Sequence, residues 1–201
     1  MVSIDPGVTT AAAVVLQFVD TPGTRECRVM EAWKGHDATA QTYAELVGYW
    51  TARYGKLQVT GDPSGFNRDL TYGKSVFGEL KERYSVNVVA PLRLQNVSDR
   101  IRLVRDIMAE RDLDKGRRGR FAYRAELEEF ARDLEEAKWP TDRDGRVTRE
   151  TDLEHNDPEH TADALSYGVA YYCGRVTYDY VPSSTPARSR PLTAGILNRR
   201  F

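Results

Sequence analysis

Two short segments, Ile4-Asp5-Pro6-Gly7 and Gly61-Asp62-Pro63-Ser64, share a pattern in which an aspartate closes a strand-like stretch and a proline follows it. Asp-Pro and Pro-Gly are ordinary turn formers, so either aspartate alone reads as a turn residue as readily as a ligand. A third carboxylate, Asp163, lies in Asp157-Pro158-Glu159-His160-Thr161-Ala162-Asp163-Ala164-Leu165-Ser166-Tyr167. There Asp157 fits a helix N-cap and Pro158 the first helical position. Ala162, Leu165, Val169 and Cys173 repeat as one stripe of that helix, and His160, Asp163, Tyr167 and Tyr171 as a second. Asp163 therefore falls on a largely apolar surface, where a carboxylate is costly without a partner or a metal. If Asp5, Asp62 and Asp163 meet, each pair at roughly 5 Å repels by about 3 kcal/mol even at an effective dielectric of 20. Such a cluster calls for protonation or a divalent cation, and hard oxygen donors select Mg²⁺ or Mn²⁺ over zinc. Two ions about 4 Å apart could activate a water and steady the leaving oxygen of a phosphodiester. His160, one turn before Asp163, faces the same side and could position that water, assist proton transfer or bind the second metal. A fourth carboxylate, Asp157 or Glu159, stays open.

The elements that must position these residues read as follows. Residues 2–4 form a strand end, Asp5-Pro6-Gly7 a turn, and residues 10–19 a β-branched strand returning from it, with a third strand over 28–34. Helical spacing over 39–54 places Tyr43, Leu46, Val47 and Trp50 on one face. A strand at 57–60 is stopped by Gly61-Asp62-Pro63-Ser64-Gly65. A helix over 71–84 and a strand over 86–90 follow it. Ser98 opens a helix with Ile101, Val104, Ile107 and Met108 at helical intervals, and residues 124–137 form another that packs Leu127, Phe130, Ala131 and Leu134. Residues 141–149, with Asp144-Gly145, read as a hairpin tip, and a last helix spans 158–174. This order predicts an α/β fold with a mixed sheet covered on both faces, and such sheets bind ligands beyond the carboxyl ends of their strands. Residues 1–175 read as one domain. Residues 176–201, with Pro182, Pro186 and Pro191, read as an extended and poorly packed tail.

The chain has 201 residues, 40% hydrophobic and 29% charged, enough for a sizeable core and unlike collagen-like or globally disordered chains. Its longest apolar run, Ala11 to Leu16, is far short of a membrane span, and the N-terminus lacks the pattern of a signal peptide, so an intracellular protein without membrane contact is expected. Cys27 and Cys173 make neither a disulfide framework nor a zinc cluster. The near balance of 29 Lys+Arg against 30 Asp+Glu hides a local cluster, Lys115, Arg117, Arg118, Arg120 and Arg124, unbroken by any acid. That cluster is either a solvated loop or a grip on nucleic-acid phosphates. A protein that cuts nucleic acid also carries acidic metal ligands, so its net charge can fall near zero.

With Asp in the first strand, Asp-Pro-Ser-Gly after an internal strand and His-x-x-Asp-Ala-Leu-x-Tyr in the last helix, residues 2–174 resemble the nuclease domain of tailed-phage terminase large subunits, which has the RNase H/integrase-like fold. The last of these motifs is the specific one. The resemblance implies a metal-binding catalytic triad of Asp5, Asp62 and Asp163, with His160 matching a histidine that some members keep beside it. It implies Mg²⁺ or Mn²⁺, two ions with substrate bound, and endonucleolytic cleavage of double-stranded concatemeric DNA. Residues 98–112, then 121–139 and the hairpin around Asp144-Gly145, resemble the family's helix–strand–helix–hairpin insertion. That insertion puts Arg143 and Arg146, with the basic cluster, near DNA. Partners implied are the terminase ATPase domain, the small terminase subunit and the portal protein, in the cytoplasm of the host cell. Gly73-Lys74-Ser75 does not make a Walker A loop, because Gly65 stands eight residues before Gly73 where a P-loop requires five. The chain thus resembles an isolated C-terminal domain that cleaves but does not translocate DNA. Two other readings remain: a Holliday-junction-resolvase-like nuclease of the same fold, and a non-catalytic module docking onto a portal or motor partner.

Overall fold

The computed structural model describes residues 1–7, 9–21, 24–67, 74–91, 97–108, 121–138 and 157–179. Three strands open the chain, β1 (Val2–Asp5), β2 (Thr10–Thr21) and β3 (Thr24–His36), each antiparallel to the next. Helix α1 (Ala40–Tyr54) leads to β4 (Val59–Gly61), which pairs parallel with β1, and α2 (Val76–Tyr84) to β5 (Val88–Val89), parallel with β4. Then come α3 (Val97–Met108), β6 (Phe121–Tyr123), α4 (Glu128–Glu136) and α5 (Asp157–Asp179). The six strands lie in the order β5-β4-β1-β2-β3-β6, so the mixed, doubly covered sheet expected from the sequence is the observed one.

The run Ala11 to Leu16 is apolar at every position because β2 is central and buried on both faces. Ala11, Ala13 and Val15 pack with Tyr43, Val47, Trp50, Phe77 and Leu80 of α1 and α2. Ala12, Val14 and Leu16 pack on the other side with Leu103 and Val104 of α3, Phe130 of α4, and Leu165 and Val169 of α5. A bulge in β3 interrupts its register with β2 between Val15 and Leu16. The extra residue changes the phase of the strand. Cys27 and Val29 face the α5 side before it, and Trp33 packs on the α1 side after it. The same phase aims Lys34 at Asp133 of α4.

Local signals explain the element ends. Thr39 caps α1 through a reciprocal box with Thr42, and Gly55 ends it at φ +80°, a left-handed conformation that favours glycine. Several boundaries differ from the sequence reading. Helix α2 begins at Val76, because the Ser75 hydroxyl accepts from the Gly78 N–H and fixes the start there, while residues 71–73 lie outside the described residues. Lys74, in the segment that fails as a Walker A loop, is an exposed residue paired with Glu82 at 3.5 Å. Helix α4 begins at Glu128 rather than at 124, since residues 121–123 are claimed by the sheet. In the stretch that resembles the family's insertion, the strand is β6, which sits at the edge of the main sheet, paired parallel with Cys27 to Val29. The hairpin expected at 141–149 lies outside the described residues, as do 109–112 and 180–201. Helix α5 includes Asp157 and runs past residue 174 to Asp179. Among the described residues no helix is long and apolar enough to cross a membrane. Cys27 and Cys173 are buried in the α5-side core and form no disulfide.

Candidate functional site

Strands β1 and β4 run parallel as neighbours in the middle of the sheet, with Ile4 opposite Gly61. The next residues in both strands are the two aspartates, and the Asp62 N–H donates to the Ile4 carbonyl at 3.0 Å. Asp5 and Asp62 therefore leave adjacent strand ends side by side. Gly61 permits this approach, since a Cβ there would collide with the Ile4 carbonyl and stand 2.8 Å from Phe77 Cζ. Asp62 also does the turn-forming work that the Asp-Pro pair suggested. Its Oδ1 accepts from the Ser64 N–H at 2.8 Å and caps the single 3₁₀ turn Pro63–Phe66. The structural and functional roles of this residue are compatible, because one carboxylate oxygen suffices for the cap.

Helix α5 packs across β1, β2 and β4 and brings its polar stripe to the same edge. His160 Nδ1 lies 2.7 Å from Asp5 Oδ2, and an ionised carboxylate only accepts, so Nδ1 donates. The loop after Asp5 is moulded on this ring: a Cβ at Gly7 would stand 2.6 Å from His160 Cε1 and 2.9 Å from Nδ1. Tyr167, two turns beyond His160, hydrogen-bonds the Asp62 carboxylate. Asp5 and Tyr167 are both buried, at 6% exposure each.

The electrostatics follow from this burial. Desolvation raises the Asp5 carboxyl above the usual carboxylate range; the hydrogen bond and charge of His160 oppose the rise, and Asp62 adds to it. His160 is raised chiefly by its bond to Asp5, with burial opposing and the charges of Asp5, Glu159 and Asp163 assisting. Asp163 is pushed up to about 7, first by burial, with Arg100 pulling down and the charges of Asp5 and Glu159 pushing further.

Arg100 is the residue that reading the sequence missed. From α3 its Nη2 meets Asp163 Oδ1 at 3.3 Å, its Nε donates to Ser166 Oγ at 3.2 Å, and its guanidinium lies 4.1 Å from the Tyr167 ring centroid. A signal was present. Arg100 shares the helical spacing of Leu103, Val104 and Ile107, which places a cation at the head of a core-facing stripe. A second network, unforeseen from sequence, braces α5: Asp133 of α4 accepts from Lys34 Nζ at 2.8 and 2.9 Å and from Thr161 Oγ1 at 2.5 Å.

The donor set is three aspartates and one imidazole, and burial with mutual repulsion lifts two of the carboxyls. That chemistry fits a hard divalent ion, which would relieve the repulsion. Among the described residues, however, no three His, Cys, Asp or Glu side chains already stand as an ion-holding group. Asp5 and His160 are in contact, Asp62 is committed by one oxygen to its cap, and Asp163 is turned to Arg100. Of the basic residues expected near nucleic acid, Arg124 ion-pairs with Glu31 at 3.7 Å and Glu126 at 3.9 Å. Lys115, Arg117, Arg118, Arg120, Arg143 and Arg146 lie outside the described residues.

No family model matches the sequence, and no curated protein matches it. Solved structures do match. The large terminase nuclease domain of bacteriophage SPP1, with bound Mn, superposes at a TM-score of 0.59 and 17% identity, covering 85% of this chain and 85% of that one. The large terminase nuclease domain of P22 superposes at 0.59 and 19% identity, covering 87% of this chain and 81% of that one. The mixed sheet with helices on both faces is thus a fold that this chain shares with those domains.

Proposed function

From that shared fold, we propose that this chain is the nuclease domain of a tailed-phage large terminase, an endonuclease that hydrolyses phosphodiester bonds of double-stranded concatemeric DNA with Mg²⁺ or Mn²⁺, two ions being held when substrate is bound. The observation that supports it best is the meeting of two strand ends and one helix face: Asp5 beside Asp62, with His160 hydrogen-bonded to Asp5 and Asp163 one turn further along α5. The SPP1 domain with its bound Mn points to the same class of ion.

In this reading Asp5, Asp62 and Asp163 hold the ions. Bound there, the ions supply an acidified water and charge stabilisation at the leaving oxygen. The protein's own contribution is positioning. Asp5 is buried and oriented by His160, so it needs little reorganisation to present an oxygen. Asp62 is held by the Ser64 N–H on Oδ1, with Tyr167 beside it. With Nδ1 engaged on Asp5, His160 keeps Nε2 as the ring atom that accepts a proton from water or returns one to the leaving oxygen. The phosphate grip belongs to Lys115, Arg117, Arg118, Arg120 and Arg124 with Arg143 and Arg146, which position the duplex without reading its sequence. The ATPase domain, small terminase subunit and portal are the partners that this role implies.

The test is nicking of supercoiled plasmid in Mn²⁺. Asp5→Asn, Asp62→Asn and Asp163→Asn, each verified as folded by circular dichroism, are expected to lose about a hundredfold or more in rate. Folded variants that nick as fast as the parent chain would remove the site assignment.

A further inference from the structure

Arg100 is buried, with its side chain 9% exposed, and it holds α5 at three places around one carboxylate: Asp163 Oδ1, Ser166 Oγ and the face of Tyr167. Ser166 in turn donates to the Asp163 carbonyl at 2.9 Å, so the guanidinium and the peptide of Asp163 are tied through one hydroxyl. Tyr167 extends the same contact to Asp62. A guanidinium in so dry a place requires a carboxylate partner, and the partner it has is the one acid that the nuclease reading requires for an ion. The absence of a ready ion-holding group among the described residues has a local cause in this pairing: Asp5 and His160 face each other, while Asp163 is drawn to α3.

Resting on the nuclease reading, we propose that Arg100 is a resident counter-ion of the site, which neutralises Asp163 while no divalent ion is bound and competes with the ion for that carboxylate. A fixed cation and an incoming divalent ion cannot both sit against one aspartate without repelling each other. Loading therefore requires the Arg100–Asp163 contact to open. Arg100 keeps its seat on Ser166 and Tyr167 during that exchange, which holds the guanidinium beside the site. Asp163 is thus protected from being an unpaired buried charge in the empty protein, and ion affinity is lowered in return.

The experiment is a Mn²⁺ titration of the full chain, followed by the electron paramagnetic resonance signal of free Mn²⁺, for the parent protein, Arg100→Met, Arg100→Gln and Asp163→Asn. Losing a charge-assisted hydrogen bond to a nearly buried carboxylate is worth roughly tenfold in an equilibrium constant. Both Arg100 variants are therefore expected to bind Mn²⁺ about tenfold more tightly than the parent, and Asp163→Asn more weakly. Should the Arg100 variants bind no more tightly while Asp163→Asn still weakens binding, the competition is wrong and the metal site stands. Failure of the parent to bind Mn²⁺ at all overturns both. A second measurement is made on the parent protein itself: the Arg100 Nη2 resonance, whose hydrogen bond to Asp163 must open, shifts on saturation with Mg²⁺. An Nη2 resonance unmoved by bound Mg²⁺ overturns the proposal.

Discussion

Asp133 offers the sharpest test of how the fold carries the site. It is 3% exposed on α4 and satisfies the Lys34 ammonium of β3 and the Thr161 hydroxyl of α5, the residue next to His160. Asp133→Ala removes the acceptor for both donors. Hydrogen bonds to charged groups are worth about 1.5–3 kcal/mol each, and breaking one side of a buried pair costs about 3–5 kcal/mol. Lys34 retains Glu129 at 3.2 Å, and its side chain is 18% exposed, so it recovers part of its solvation. The lower end applies: a loss of about 3 kcal/mol, which for a chain of this size lowers the melting temperature by roughly 6–12 °C. The hydrogen bonds and charge of the two carboxylates raise the Lys34 pKa above its ordinary value, against the pull of burial. A cation with a raised folded pKa contributes its stability fully below the unfolded pKa, and loses it as pH rises through the folded value. The gap between parent and variant should therefore be constant from neutral pH to about 9 and close only in strongly alkaline buffer. Thermal melts by circular dichroism across that range are the assay. The double variant Lys34→Met/Asp133→Leu should recover much of the loss, because an apolar pair leaves no uncompensated charge. A single variant melting within about 2 °C of the parent would refute the reasoning.

Two further outcomes follow from the same geometry. Asp163 is raised in the folded protein to about 7, so folding binds a proton there that the unfolded chain releases; stability should fall between about pH 4 and 7 and stay lower above it. Asp163→Asn removes the titrating carboxyl and should flatten that slope in chelator-containing buffer, whatever its melting temperature at any one pH; equal slopes would refute the assignment. Gly7→Ala would press a methyl group onto the Thr10 carbonyl and the His160 ring. It should lose about 1–3 kcal/mol of stability and reduce plasmid nicking, whereas unchanged melting and nicking would show that the loop yields freely.

Legibility differed sharply between elements. The β-branched run of β2 showed a strand, and the Asp-Pro pairs marked two strand ends, because strand propensity and stopping residues are written in consecutive positions. The spacing of His160 and Asp163 was equally readable, since one helical turn relates them. Edge strand β6 was not: three residues make no periodic signal, and only pairing with β3 gives them a strand's geometry. The start of α4 shifted for the same reason.

What the sequence determined by itself is therefore the set of candidate groups and the element that each one ends or rides on. It determined that Asp5 and Asp62 close strands and that Asp163 lies on a buried helix face. Tertiary structure alone decided how those groups are spent. The His160–Asp5 contact joins residues 155 apart, the Arg100–Asp163 contact residues 63 apart, and the Lys34–Asp133 contact residues 99 apart. Which carboxylate receives which cation depends on the angle at which α3, α4 and α5 cross the sheet and on the bulge that turns β3 by one residue. Those are properties of packing between distant segments, and no local spacing encodes them.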